Sequence, residues 1–148
     1  MLVQIDDDTH INPRNVMSVF RDPISQSTAG VSTLGCGLDA TRVNHSMGLI
    51  VHKLCRDVLL IRIGSDHFIN PFYVTKFVHE RGLSEASCVR VHMVGNKFWH
   101  RVSGDSRIQR IHTFMPQAMA AAEGAKGEEL LRIGRKYSEL ICGDWVTC

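Results

Sequence analysis

Arg90, His92, Lys97, Trp99 and Arg101 fall within one short stretch of this chain. Arginine and lysine neutralise phosphates, and a tryptophan ring can stack on a base. The stretch Cys88 to Val94 (CVRVHMV) alternates, which sets Val89, Val91 and Met93 on one side of a strand and Arg90 and His92 on the other. Gly95-Asn96 is a two-residue hairpin signal, and Lys97 to Val102 reads as the returning strand. Trp99 and Arg101 are therefore expected beside His92 and Arg90 on one sheet, with Lys97 at the turn. Trp99 could equally be core, with Phe98 outside. Arg62 and Lys76 extend the patch, and Arg107 and Arg110 are three apart on the next helix, so they point together. These residues make a candidate nucleic-acid-binding face. The plainer reading is that an antiparallel sheet with one open face carries polar residues there.

Other chemistry finds less support. A cysteine nucleophile needs a neighbouring base. Cys36 sits between Gly35 and Gly37, and His45 or His92 would have to serve it. Cysteines flanked by glycine are also common in ordinary loops. The chain has no Gly-x-Ser-x-Gly, no phosphate-cradling loop and no dinucleotide fingerprint, so no catalytic residue is expected. Eight histidines and five cysteines are scattered without a Cys-x-x-Cys or His-x-x-x-His pair, which predicts no metal site and no cofactor. Arg132, Arg135 and Lys136 read as the solvated face of the last helix.

The elements that position the candidate face come from an ordinary globular composition, 44% hydrophobic and 22% charged. The net charge of +2 is too small to indicate a nucleic-acid partner by itself, because the footprint depends on clustering. Five singly spaced cysteines argue against a disulfide framework and for reduced thiols in the cytoplasm. The first residues lack the basic and apolar regions of a signal peptide, and no window is apolar enough to span a bilayer, so no membrane partner is expected.

Residues 2–20 (LVQIDDDTHINPRNVMSVF) and 60–78 (LIRIGSDHFINPFYVTKFV) align without a gap. Identities fall at Leu2/Leu60, Ile5/Ile63, Asp8/Asp66, Ile11/Ile69, Asn12/Asn70, Pro13/Pro71 and Val16/Val74. Each copy reads as a strand, an acidic or glycine turn, a short strand ending at Ile11 or Ile69, an Asn-Pro turn and a third strand. Residues 21–47 read as a long loop with one strand near Val31–Leu34, and Met47–Leu54 as a strand leading into the second copy. Asp105 or Ser106 caps a helix carrying Ile108, Ile111 and Met115, which Pro116 breaks or restarts. After the break at Gly124–Gly127, a last helix has Leu130, Ile133, Tyr137, Leu140 and Ile141 on its apolar face.

The second copy resembles the small flagellar FlbD/SwrD family in Gly64, Ile69, Asn70, Pro71, Val74, Phe77, Gly95, Lys97 and Phe98, although Thr75 and Lys76 replace that family's acidic positions. It also resembles the LytTR DNA-binding domain in Arg62 and Asn70, whereas Gly64 and Asp66 stand where that domain has its contact His and Ser. Both resemblances imply a β-rich fold with a regulatory role, and neither carries over an activity. The expected fold is α+β. A β-rich body of two duplicated strand-turn-strand units (1–57 and 58–104) precedes a helical C-terminal segment, 105–148, packed on it. Because each unit is too small to bury its own apolar face, the two are expected to pack with approximate two-fold symmetry.

The expected function is a non-enzymatic regulator, of the kind a phage encodes, binding DNA or RNA or a host protein that handles nucleic acid. The rival is a protein-interaction module or inhibitor acting without nucleic acid through 21–47 or the last helix. The third reading is a small Cys36-dependent enzyme.

Overall fold

Both Ile-Asn-Pro segments fold alike in the computed structural model, which describes residues 1–148 apart from 23, 26, 36–39, 82–86, 95–98, 104 and 147–148. In the first copy β1 (Val3–Asp6) pairs antiparallel with β2 (Thr9–Ile11), a single 3-10 turn covers Pro13–Asn15, and β3 (Val16–Arg21) follows. The second copy repeats this as β6 (Ile61–Gly64), β7 (His67–Ile69), a 3-10 turn at Pro71–Tyr73, and β8 (Val74–Arg81). The Asn-Pro step explains the turn. Proline presets φ for the first turn residue, and the preceding asparagine stays extended and caps the turn. Asn12 Oδ1 accepts from the Arg14 N–H at 3.0 Å, and Asn70 Oδ1 from the Phe72 N–H at 3.1 Å.

The repeat runs further than its sequence signature. In the first copy β4 (Ala29–Thr33) and β5 (Thr41–Val43) continue from β3 as a meander. In the second, β9 (Ser87–Met93) and β10 (Trp99–Ser103) continue from β8. The registers correspond, including a bulge after the first residue of β3 and of β8. Residues 21–47 thus hold two strands rather than a long loop with one. The hairpin signal Gly95-Asn96 lies outside the described residues, but β9 and β10 do pair antiparallel.

Met47–Leu54 is a helix, α1, not the expected strand. Its buried residues Met47, Ile50, Val51 and Leu54 recur at helical spacing, and Ser46 Oγ caps it by accepting from the Leu49 N–H at 3.3 Å. The C-terminal segment forms α2 (Asp105–Ala122) and α3 (Glu128–Cys142). Pro116 does not break α2. It is exposed, while Met115 and Ala118 on either side are buried, so core packing holds both halves of the helix together. Leu130, Ile133, Tyr137 and Ile141 bury the apolar face of α3, whereas Leu140 is exposed. Gly134 allows α3 its close approach to the second copy, since a Cβ there would sit 3.0 Å from the Leu60 carbonyl oxygen.

The strand order β5-β4-β3-β7-β6 shows that the two copies share one five-stranded sheet. Met17, Ile61, Ile63 and Ile69 belong to a core with β9, α2 and α3, and Val16, Val19, Val31 and Phe68 to a second core with α1. Each fully buried aliphatic side chain contributes about 1.5–3 kcal/mol relative to exposure. The fold is α+β, and none of its described helices is long and apolar enough to cross a membrane. Of the approximate two-fold symmetry expected between the copies, one pairing is seen: β7 joins β3, whereas among the described residues no β2–β8 pair matches it, β1 and β2 make a two-stranded sheet and β8 is an edge.

Candidate nucleic-acid interface

The three-stranded sheet β8-β9-β10 gathers most of the candidate residues. Lys76 stands opposite His92, and His92 opposite Trp99. In the next row Val78 stands opposite Arg90, and Arg90 opposite Arg101. Directly opposed residues of antiparallel strands share a side of the sheet, as do residues two apart along a strand. Lys76 is exposed, and Arg90 and His92 are half-buried. The interleaved residues Val89, Val91 and Met93 are buried, as the alternation predicts. Lys97 and Phe98 lie outside the described residues.

The same rows in the first copy have a different composition. Ser18 stands opposite Ser32, and Phe20 opposite Gly30, which in turn faces Arg42. Ser18 and Ser32 are both buried. Ser18 also stands beside Ile69, a member of the core that α2 and α3 cover. A Cβ on Gly30 would fall 2.3 Å from the Phe20 ring, so glycine is needed for the ring to lie across it. The first copy thus carries buried Ser18, Ser32 and Gly30 where the second carries Lys76, His92 and Arg90, whereas exposed Arg42 matches Arg101 and Phe20 matches Val78.

Arg62 does not belong to the face. It is 4% exposed, because strand β6 is covered on both sides. Its Nε donates to the Gly64 carbonyl at 3.0 Å, Nη2 to Ser65 O at 2.9 Å and Nη1 to Trp145 O at 3.0 Å. Asp144 Oδ1 lies 3.1 Å from Nη1, and the guanidinium sits over the Phe68 ring. Strand alternation set Arg62 outward. Two of its carbonyl partners are local, but nothing near Arg62 in sequence marks Trp145 O or Asp144, which lie more than 80 residues on.

Arg110 is also committed elsewhere. Its Nε donates to Ile141 O at 2.9 Å, an acceptor in the last turn of α3, and its Nη1 donates to Ser106 Oγ at 2.7 Å. Arg107 is half-buried on the same helix, near Cys142. Burial pushes the Cys142 thiol pKa up, and the charges of Arg107 and Arg62 pull it back. Arginines at the carbonyl end of a helix meet its partial negative charge. Arg110 thus fastens α2 to the last turn of α3.

Cys55 and Cys88 are buried and Cys142 partly buried, none of them in a disulfide, while Cys36 and Cys148 lie outside the described residues. Among the described residues no three His, Cys, Asp or Glu side chains converge as a metal site would require. Arg132, Arg135 and Lys136 are exposed on α3, and Arg135 Nε pairs with Glu139 at 3.1 Å.

One concave surface escaped the sequence reading. A groove of about 570 Å³ runs between the first Asn-Pro turn, the end of α1 and the α2–α3 connection. Arg14, Arg56 and Lys126 line it, with Asp57 among them, and Arg56 Nε pairs with Glu128 at 2.6 Å. Its walls come from three distant segments, so no local pattern could have announced it. No protein-family model matches the chain, and neither a curated protein nor a solved structure matches it.

Proposed function

We propose that this chain is a non-enzymatic regulatory protein that binds nucleic acid, or a protein complex carrying nucleic acid, through the open face of the β8-β9-β10 sheet. The observation that carries this reading is the contrast between corresponding rows. The first copy has buried Ser18, Ser32 and Gly30 where the second has exposed Lys76 and half-buried His92 and Arg90, with Trp99 next in register; Arg101 matches exposed Arg42 of the first copy. Cations spaced along adjacent strands suit a phosphate backbone, and an aromatic residue among them suits a base. The rival reading through the last helix loses support because the apolar face of α3 is buried in the core.

The test is salt-dependent binding of the full chain to single-stranded and duplex oligonucleotides. Replacing Arg90 and Arg101 together by alanine should cost about 1–3 kcal/mol of binding, the usual worth of charge-assisted bonds. The slope of log K against log salt should become shallower by about one to two units. Trp99→Ala should weaken single-strand binding more than duplex binding, since stacking needs an unpaired base. A wild-type chain without salt-sensitive affinity for either DNA or RNA would overturn the proposal in favour of a protein partner.

A further inference from the structure

The internal repeat shows what an edge of this type accepts. The outer edge of β3 is filled by β7, with Ser18 opposite Ile69, Val19 opposite Phe68 and Phe20 opposite His67. The corresponding edge of β8 forms no ladder among the described residues. An unpaired strand edge presents N–H and C=O groups that template a further strand, and folded chains normally cover or blunt such edges. Here the edge carries an exposed apolar residue in its middle, Val78, at 36% exposure. Thr75 and Lys76 beside it are exposed too.

The order of residues in β8 determines what fits. Two copies of one strand can pair antiparallel about a two-fold axis when each residue meets its symmetry counterpart in register. With Val78 opposite Val78 of the second copy, Lys76 stands opposite Glu80, and Glu80 opposite Lys76. Phe77 then stands opposite His79. Moving the axis one residue either way loses both Lys–Glu oppositions. A lone lysine on an edge discourages pairing, whereas directly opposed unlike charges favour it. The edge is thus self-complementary in one register.

We infer that β8 is a homodimer interface, joining two chains into a continuous six-stranded antiparallel sheet of order β10-β9-β8-β8-β9-β10. A two-fold axis perpendicular to the sheet keeps equivalent rows on one side. The Lys76, Arg90 and His92 rows of both chains would then form one surface, although the dimer does not depend on that surface binding anything.

The experiment is sedimentation equilibrium of the full chain without nucleic acid. The wild type should dimerise below roughly 100 µM, as expected of a modest interface. Lys76→Glu alone and Glu80→Lys alone should each weaken association by about tenfold, because like charges then oppose twice. The double exchange, Lys76→Glu with Glu80→Lys, should restore it to within about twofold of wild type. Restoration also shows that the single variants had not simply misfolded. A chain monomeric up to roughly 100 µM overturns the inference. So do single variants that dimerise normally, and so does a double variant that stays weak. A chain that dimerises yet binds no nucleic acid leaves this inference standing and removes only the functional proposal.

Discussion

The two copies use one backbone plan for opposite purposes. Each has the same hairpin, the same Asn-capped turn, the same bulge and the same three-stranded meander. In the first copy the meander packs against α1 and Ser18, Ser32 and Gly30 are buried, while Arg42 at its margin is exposed. In the second, β8 is an edge among the described residues, and the rows hold exposed Lys76 and half-buried His92 and Arg90. The hairpins differ in the opposite sense. β6 and β7 are integrated into the five-stranded sheet, while among the described residues β1 and β2 pair only with each other. Backbone geometry, set by local turn chemistry, is shared. What lies against each surface decides which side chains it carries.

Substitutions at matched positions test this division of labour. The largest difference is expected between Arg62 and its counterpart Gln4, which is exposed. Arg62→Ala removes the donors for three carbonyls and unpairs Asp144, and should cost about 3 kcal/mol in chemical denaturation. Gln4→Ala should stay within about 0.5 kcal/mol. Equal costs would show that the two hairpins are less distinct than their packing indicates.

Next come the asparagines. Asn70 caps its turn and also donates Nδ2 to Val16 O at 3.1 Å, which ties the two copies together. Asn12 makes the capping bond at its own turn. Asn70→Ala should cost about 2 kcal/mol and Asn12→Ala about 1 kcal/mol, one hydrogen bond apart. A reversed order in urea unfolding would mean that the inter-copy bond contributes nothing.

The smallest effect is a slope. Burial pushes the pKa of His67 below its usual 6.5, with Asp66 opposing the shift, and its counterpart Thr9 does not titrate. Above pH 6.5 the imidazole is neutral in both folded and unfolded chains and leaves stability unchanged. As pH falls through 6.5 the unfolded chain takes up a proton that the folded chain refuses. Stability is therefore lost until the pH reaches the lower, folded pKa. His67→Thr, the first-copy residue, should flatten this part of the stability profile. An unchanged profile would locate the titration elsewhere.

The turns were legible in the sequence because their causes are local. Ile-Asn-Pro-x-x-Val carries its own proline and its own cap, so both copies declared themselves. The α1 helix was misread because eight mostly apolar residues fit either period, although Ser46 offered a capping signal. The strands β4 and β5 were hidden by a Ser, Thr and Gly content that usually marks a loop. Of the candidate face, alternation along Cys88–Val94 fixed which residues share a side, since period two needs no tertiary knowledge. It failed at Arg62 because two of its partners, Trp145 O and the Asp144 carboxylate, lie far along the chain, although Gly64 O and Ser65 O are close by. An exposed and a buried arginine look identical in a half-apolar strand.

The arginine that misled the sequence reading also orders events in time. Arg62 and the carbonyl of Trp145 are separated by 83 residues of chain. At a synthesis rate of 5–20 residues per second, the donor waits roughly 4–17 s for its acceptor to be made. During that interval the first copy has its strands and α1, but its core still lacks Trp145, and β6 carries an unaccompanied charge into what will become the core. The hairpin of the second copy can therefore settle only late, as a step that closes a long loop and is slow for that reason. Both copies wait on the same segment, since Trp145 completes the first core and accepts from Arg62 in the second hairpin.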